Sequence, residues 1–305
     1  MTAVGDWRIL SRKEDRTMRI EPLTEKTGAE VTGVDVTAID DDSFRQIYHA
    51  WLDRCVIVVR GQELTPAQLV AFGRRFGELE PPPGSEKDRR EDAGADSAPD
   101  MWIISNVMEK GEPIGALGAG EAAWHSDMTY LPEPPTASVL FGREVPVGHG
   151  HTWYANMYAA LEDMPAELRA RIEGRLANHD SSYTSAGDLR VGMGEVVDVS
   201  QAPGAEHPLI VRHPETGRPA LFPGRRLNAY VRGLPVAESE ALLDELWAWC
   251  TRDEFVYVHQ WQQGDLLVWD NRSTLHRRDS FDNSLRRILW RCQVKGAALP
   301  AAAAA

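Results

Sequence analysis

Two spacings of apolar residues succeed one another along the chain. From Met18 onward, alternating polar and apolar positions ("MRIEPLT", "AEVTGVDV") give way to a period near 3.6 in "DDSFRQIYHAWLDR", and this leads into the β-branched run "CVIVVRG". A period of two puts every second side chain on one face of a strand, whereas apolar residues three and four apart share one face of a helix. The order predicted is strand, helix, strand, followed by a helix in "TPAQLVAFGRRFG" with Thr65 as N-cap and Pro66 at the first helical position. Two further helices are predicted, from Glu167 to Leu176 and from Ala237 to Thr251. The other strong segments ("WIISNV", "ASVLFGREV", "PLIVRH", "PALF", "FVYVHQW", "DLLVWD", "RRILWRCQV") are strand-like. Together they predict an α+β, mainly β protein whose body is a barrel or sandwich.

Two polar stretches interrupt this pattern. Residues 80–100 ("EPPPGSEKDRREDAGADSAPD") lose almost all apolar content and are expected to form a long mobile loop, either an active-site lid or a surface insertion. A second polar, Gly-rich stretch covers roughly residues 184–206. With 305 residues, 43% of them hydrophobic and no internal repeat, the chain suits a single domain over residues 18–296. Residues 1–17 then form an N-terminal extension and residues 297–305 a flexible tail.

Composition narrows the partners. A formal charge of −13 without a clustered basic face argues against nucleic acid or an anionic membrane surface. No apolar run approaches the roughly 20 residues of a membrane span, and the first residues lack the core of a signal peptide, so a cytoplasmic protein is expected. Cys55, Cys250 and Cys292 are odd in number and widely spaced, which predicts buried free thiols instead of disulfides or a zinc site.

The candidate chemistry starts in "WHSDMTY", residues 124–130. If this stretch is a strand, His125 and Asp127 project to the same face and Ser126 to the other. A buried carboxylate is costly unless it is paired or binds a metal. The best third ligand is His276, 151 residues on (276 − 125), after the strand "DLLVWD" and the turn "NRST". Two histidines and one carboxylate leave open positions on a metal, the arrangement of non-haem Fe(II) oxygenases. A hydrogen-bonded His–Asp pair without metal is the competing reading. In "RRILWRCQV" the strand period places Arg287, Leu289 and Arg291 on one face. Their guanidinium groups, about 13 Å apart at Cα, could clamp two different anions, or the strand is a solvated basic edge.

"WHSDMTY", "VPVGHGHTWYANM", "HPETGRPALF", "GDLLVWDNRSTLH" and "RRILWR" together resemble the taurine dioxygenase and phenoxyacetate dioxygenase family (TauD/TfdA), over about Met18 to Gly296. The resemblance implies a double-stranded β-helix, or jelly roll, with flanking helices. It implies Fe(II) as cofactor with 2-oxoglutarate and O2 as co-substrates, and His125, Asp127 and His276 as iron ligands. Arg287 matches the arginine that binds the distal carboxylate of 2-oxoglutarate, and Thr152 the threonine that supports it. Arg291 matches the arginine that holds the substrate anion in the taurine enzyme. The implied reaction is hydroxylation of a C–H bond in a small anionic organic substrate, driven by decarboxylation of 2-oxoglutarate; cleavage of an adjacent C–O, C–S or C–N bond follows where the hydroxylated carbon carries that heteroatom.

Departures from the family leave the substrate open. Where the family usually has GGDT this chain has "HGHT", and His149 with His151 raises a second HxH site of cupin type, although no glutamate follows at a cupin-like interval. The residues after "FGEL" do not match the taurine enzyme, and the C-terminal half leans toward the phenoxyacetate branch. Met128 and Tyr130 are expected either to line an apolar side of the substrate pocket or to pack in the core; Arg225 and Arg226 are expected to be solvated or to add anion contacts. A biosynthetic tailoring oxygenase acting on an amino acid or natural-product intermediate is an alternative use of the same site, and a non-catalytic binding protein a second one. A homodimer or homotetramer is compatible with the resemblance.

Overall fold

The computed structural model describes residues 17–81, 98, 100–120 and 122–302. Most of the expected loop (residues 82–97 and 99) and residues 1–16 of the expected extension lie outside the described residues. A nine-stranded sheet runs in the order Arg19–Pro22, Ala29–Thr32, Val56–Val59, Leu266–Asp270, Ala137–Glu144, Ile288–Val294, Trp102–Ser105, Ala116–Leu117, with Leu79–Glu80 pairing beside Ile288–Val294. Facing it is a four-stranded sheet in the order Val256–His259, Thr152–Asn156, Thr274–Arg278, Ala122–His125. All four strands of this smaller sheet pair antiparallel.

The large sheet is buried on both faces, which explains why its strands read as continuous apolar runs. Val56, Val58, Leu140, Leu267, Trp269 and Leu289 point inward, toward the small sheet. Ile57, Val59, Val139, Phe141, Val268, Trp290 and Cys292 point outward, into a second cluster with the two N-terminal helices. The helix Asp41–Arg54 is capped by Asp40, whose side chain accepts from Ser43 N, and turns Phe44, Ile47 and Trp51 toward the sheet. Thr65 and Gln68 form a reciprocal capping box at the start of Pro66–Gly73, whose Leu69, Val70 and Phe72 join the same cluster. Cys55, Cys250 and Cys292 are buried and free.

Three expectations change. The helix predicted to reach Leu176 ends at Ile172 because Gly174, at φ +69°, breaks it, and Leu176–Asp180 is a strand. A short helix, Met157–Glu162, was not anticipated; Asn156 caps it by accepting from the N–H groups of Tyr158 and Ala159. The C-terminal segment does not fray as far as Ala302: Leu299 is buried, and Pro300 to Ala302 exchange backbone hydrogen bonds with Ile210 to Arg212. Among the described residues no helix is long and apolar enough to cross a membrane.

Several histidines were folded into the core as neutral rings. His179 is fully buried and neither ring nitrogen has a partner among the described residues; burial, reinforced by nearby His207, holds its pKa well below 6.5. Burial also lowers His207 and His259. Between their folded pKa values and pH 6.5 the unfolded chain binds protons that the folded chain refuses, so stability rises with pH across that window and falls on acidification. The urea midpoint should therefore be lower at pH 5.5 than at pH 7.5. His179→Leu should flatten this dependence by about 1.4 kcal/mol per pH unit, one proton's share; an unchanged slope would show that His179 titrates alike in both states.

Candidate metal centre

The small sheet brings together residues from distant parts of the chain. Strands Ala122–His125 and Thr274–Arg278 pair so that His125 lies directly opposite His276, with ring centroids 4.2 Å apart. The strand expected through Asp127 stops at His125. Ser126 N donates to the Gly224 carbonyl at 2.9 Å and Ser126 Oγ to the Thr274 carbonyl at 2.6 Å, and Met128 adopts φ +47° in the turn that follows. This turn still delivers Asp127 to the same place: its Oδ1 is 3.7 Å from Nε2 of both His125 and His276. Among the described residues these three form the one group of His, Cys, Asp or Glu side chains whose ligand atoms lie within 4.8 Å of one another.

Hydrogen bonding and charge prepare the three groups to bind a cation. His125 Nδ1 donates to the Ala123 carbonyl at 2.7 Å, which leaves the Nε2 lone pair directed into the cluster. Burial, together with His125, pushes His276 down to about 3, so its ring is neutral. Burial, the largest single influence, opposes ionisation of Asp127, but the Arg291 guanidinium and the neighbouring His276 and His125 together outweigh it and hold the carboxyl well below its usual range. Arg291 Nη2 donates to Asp127 Oδ2 and, at 2.7 Å, to Ser138 Oγ, and Ser138 Oγ donates to Oδ2 at 2.9 Å. Asn271 Nδ2 donates to Ser138 Oγ at 3.3 Å, and Asn271 Oδ1 accepts from Trp269 Nε1 at 2.8 Å. The outer carboxylate oxygen is thus taken up and Oδ1 is left facing the two imidazoles. Two imidazole nitrogens and one ionised carboxylate oxygen converging from one side suit a divalent iron with open positions opposite.

A cavity of about 480 Å³ opens beside these ligands, between the two sheets. Leu140, Trp269 and Leu289 of the large sheet and Thr152 and Arg278 of the small one line it, with Arg287 and Arg291. Arg287 is 2% exposed and makes no ion pair among the described residues; its Nε has no partner, and Trp261 and Phe281 lie 5.6 and 5.7 Å from its guanidinium carbon. Burial, then repulsion from Arg278, pushes its pKa down to about 9. Thr152 Oγ1 accepts from Trp261 Nε1 at 2.9 Å, so its own hydroxyl hydrogen is available to a ligand. Gly150 lies in the turn before it at φ +59°, where an added Cβ would sit 3.1 Å from Phe281 and 3.6 Å from Arg287 Nε. His149 is exposed and His151 half-buried, and neither belongs to a metal cluster among the described residues.

Other expectations are revised. Met128 and Tyr130 lie outside the cavity lining: Met128 belongs to the turn, and the Tyr130 ring is covered by the guanidinium groups of Arg190 at 4.2 Å and Arg225 at 5.8 Å. Arg226 is paired on the surface with Glu240 and Asp244, whereas Arg225 is buried, not solvated. Arg291, expected to face a substrate anion, has a carboxylate of its own chain against it. Ser138, Asn271, Trp261 and Arg278 escaped the sequence reading, since a serine in "ASVLF" or a tryptophan in "HQWQQ" carries no local mark of the side chain it will meet.

A family model described as "Taurine catabolism dioxygenase TauD, TfdA family" matches residues 19–293. The chain is 34% identical over 298 residues to the (S)-phenoxypropionate/alpha-ketoglutarate-dioxygenase of Delftia acidovorans, covering 92% of this chain and 96% of that protein. It is 32% identical over 286 residues to pentalenolactone F synthase of Streptomyces arenae, covering 89% and 93%. The crystal structure of AAD-2 in complex with Mn(II) and N-oxalylglycine superposes with a TM-score of 0.73 at 29% identity, covering 92% of this chain and 98% of that one.

Removing Arg291 leaves a buried carboxylate without its counter-cation and frees it to rotate. Arg291→Leu should weaken Mn(II) binding by roughly 10–100-fold in calorimetric titration, while Arg291→Lys restores part of the affinity. Equal Mn(II) affinity in all three proteins would show that Asp127 is oriented without this contact.

Proposed function

The chain belongs to the TauD/TfdA family of 2-oxoglutarate-dependent non-haem iron dioxygenases, and on that footing we propose that His125, Asp127 and His276 hold its Fe(II) while Arg287 and Thr152 hold the distal carboxylate of 2-oxoglutarate. The observation that carries this reading is the Arg287 guanidinium, buried in the cavity without an anionic partner among the described residues. Leaving such a cation unpaired costs several kcal/mol, and a dicarboxylate co-substrate supplies the missing charge. Arg278, which donates to the Gly120 carbonyl, lines the same cavity and adds to its positive potential.

Bound iron and 2-oxoglutarate supply the oxidising power for hydroxylation of a C–H bond. The residues bind, orient and exclude water. Leu140, Leu289 and Trp269 present an apolar wall that keeps bulk water from the ligand cluster. Trp261 holds Thr152 in the rotamer that gives its hydroxyl hydrogen to the co-substrate. Arg291 borders the substrate space, but its charge is balanced by Asp127, so we assign it first to orienting that ligand and only second to the substrate.

The substrate proposed is a small organic anion, oxidised at a carbon next to oxygen so that the product loses its ether or ester bond, in line with the phenoxypropionate-acting relative. The likeness to pentalenolactone F synthase favours a second reading, a tailoring oxygenase acting on a natural-product acid.

Anaerobic titration of the Fe(II)-loaded protein with 2-oxoglutarate should develop a visible metal-to-ligand charge-transfer band. Arg287→Gln should need roughly 10–100-fold more 2-oxoglutarate to reach it, the worth of a charged hydrogen-bond pair. Absence of the band in the wild type would remove the assignment of the three ligands.

A further inference from the structure

A second cavity, of about 370 Å³, shares the wall formed by His125 and residues 184–186 with the first. Trp124 and Leu227 give it apolar surface, and Arg225 gives it a charge. Arg225 is held rigidly. Its backbone bridges to that of His125, and the preceding Gly224 sits at φ +66° where any Cβ would lie 2.1 Å from the His179 ring.

The Arg225 side chain is only 5% exposed, yet it makes no ion pair among the described residues. Among the described residues its side chain makes one hydrogen bond, from Nη2 to the Tyr183 carbonyl at 2.9 Å. Arg190 stands beside it, donating from Nε to the same carbonyl at 3.3 Å and from Nη1 to the Tyr130 hydroxyl at 3.1 Å. Two guanidinium groups therefore share one carbonyl and one tyrosine ring. Of the carboxylates that act on Arg225, Asp180 is engaged by Ser182 N at 2.8 Å and Asn228 Nδ2 at 3.2 Å, and Asp127 by Arg291. Asp188 is exposed on the turn and lines the first cavity, not this one. Burial and repulsion from Arg190 both disfavour the charge on Arg225. A buried cation with a second cation next to it and no acid bonded to it is stabilised by an incoming anion.

We propose that Arg225, backed by Arg190 across Tyr130, is an anion subsite that takes the carboxylate of the organic substrate, with Trp124 and Leu227 against its apolar part. The fork of Arg225 suits a planar carboxylate, and the neutralised Arg291 competes poorly for it. The shared wall at His125 puts the far end of a molecule held there next to the ligand cluster. This subsite rests on the reading of the first cavity as the place of oxidation.

The test is calorimetric titration of the protein loaded with Mn(II) and 2-oxoglutarate, using 2-phenoxypropionate and its uncharged primary amide as probes. The wild type should bind the acid at least about tenfold tighter than the amide, and Arg225→Gln should lose that preference while its affinities for Mn(II) and 2-oxoglutarate stay unchanged. Arg225→Lys should recover part of it. Should Arg225→Gln fail to fold, Arg190→Gln, a change at a half-buried neighbour, is expected to cut the preference about threefold. Equal binding of acid and amide by the wild type, or a preference that survives in Arg225→Gln, overturns the subsite. Wild type that binds 2-oxoglutarate but not the acid also overturns it and leaves the co-substrate reading standing; binding of the acid without 2-oxoglutarate does the reverse.

Discussion

The Asp127 carboxylate makes demands that the surrounding structure meets. It is buried between two sheets in a setting that opposes its charge, and the Arg291 guanidinium, the strongest of the groups that offset this burial, keeps it ionised together with His276 and His125. To reach it, Arg291 must point inward from the large sheet, and the strand's alternation then also sends Leu289 and Arg287 into the cavity. Trp290 and Cys292 are consequently turned out against the N-terminal helices. One ion pair thus sets the facing of a whole strand, and a one-residue slip would bury the wrong set of side chains on both sides.

The sheet and the ligand cluster have complementary characters. Trp102, Trp269 and the neighbouring aliphatic side chains provide a low-dielectric wall, and the Arg291 guanidinium lies 4.9 Å from the Trp102 ring. Inside such a wall each charge counts for more, so every charged group has to be answered. Asp270 is answered by Arg272 and His213, and Asp265 by Arg60. Arg287 and Arg225 stand out because no carboxylate of the described chain answers them.

Much of this was legible in the chain. The apolar runs identified the central strands, the helix at Asp41 begins where its 3.6 period does, and the helix at Pro66 begins where its Thr65 cap predicted, because capping is a contact between near neighbours. The HxD spacing picked out two residues that do converge with His276, although the strand was expected to run too far; the turn at Met128 replaces the pleat that was meant to align the two side chains. What stayed hidden depends on register between distant strands. Ser138 meets Asp127 and Trp261 meets Thr152 only once the sheets have closed. Whether Arg225 is solvated or contacts an anion stayed open, because a pair of arginines in a Gly-rich loop looks the same in sequence whether one of them is buried or both are exposed. Ala301 and Ala302, in a run too uniform to predict anything but fraying, are tied to Ile210–Arg212 by backbone contacts that composition does not reveal.

The antiparallel register that sets His125 opposite His276 also orders events in time. During synthesis the ribosome releases His125 and Asp127 long before the strand Thr274–Arg278 exists to complete the cluster. A nascent chain therefore presents His125 and Asp127 without their third neighbour and without the acid's counter-cation, since Arg291 emerges later still. The three side chains that could hold a metal converge only once the strand Thr274–Arg278 has paired with Ala122–His125, so the cluster and the closed small sheet come into being together.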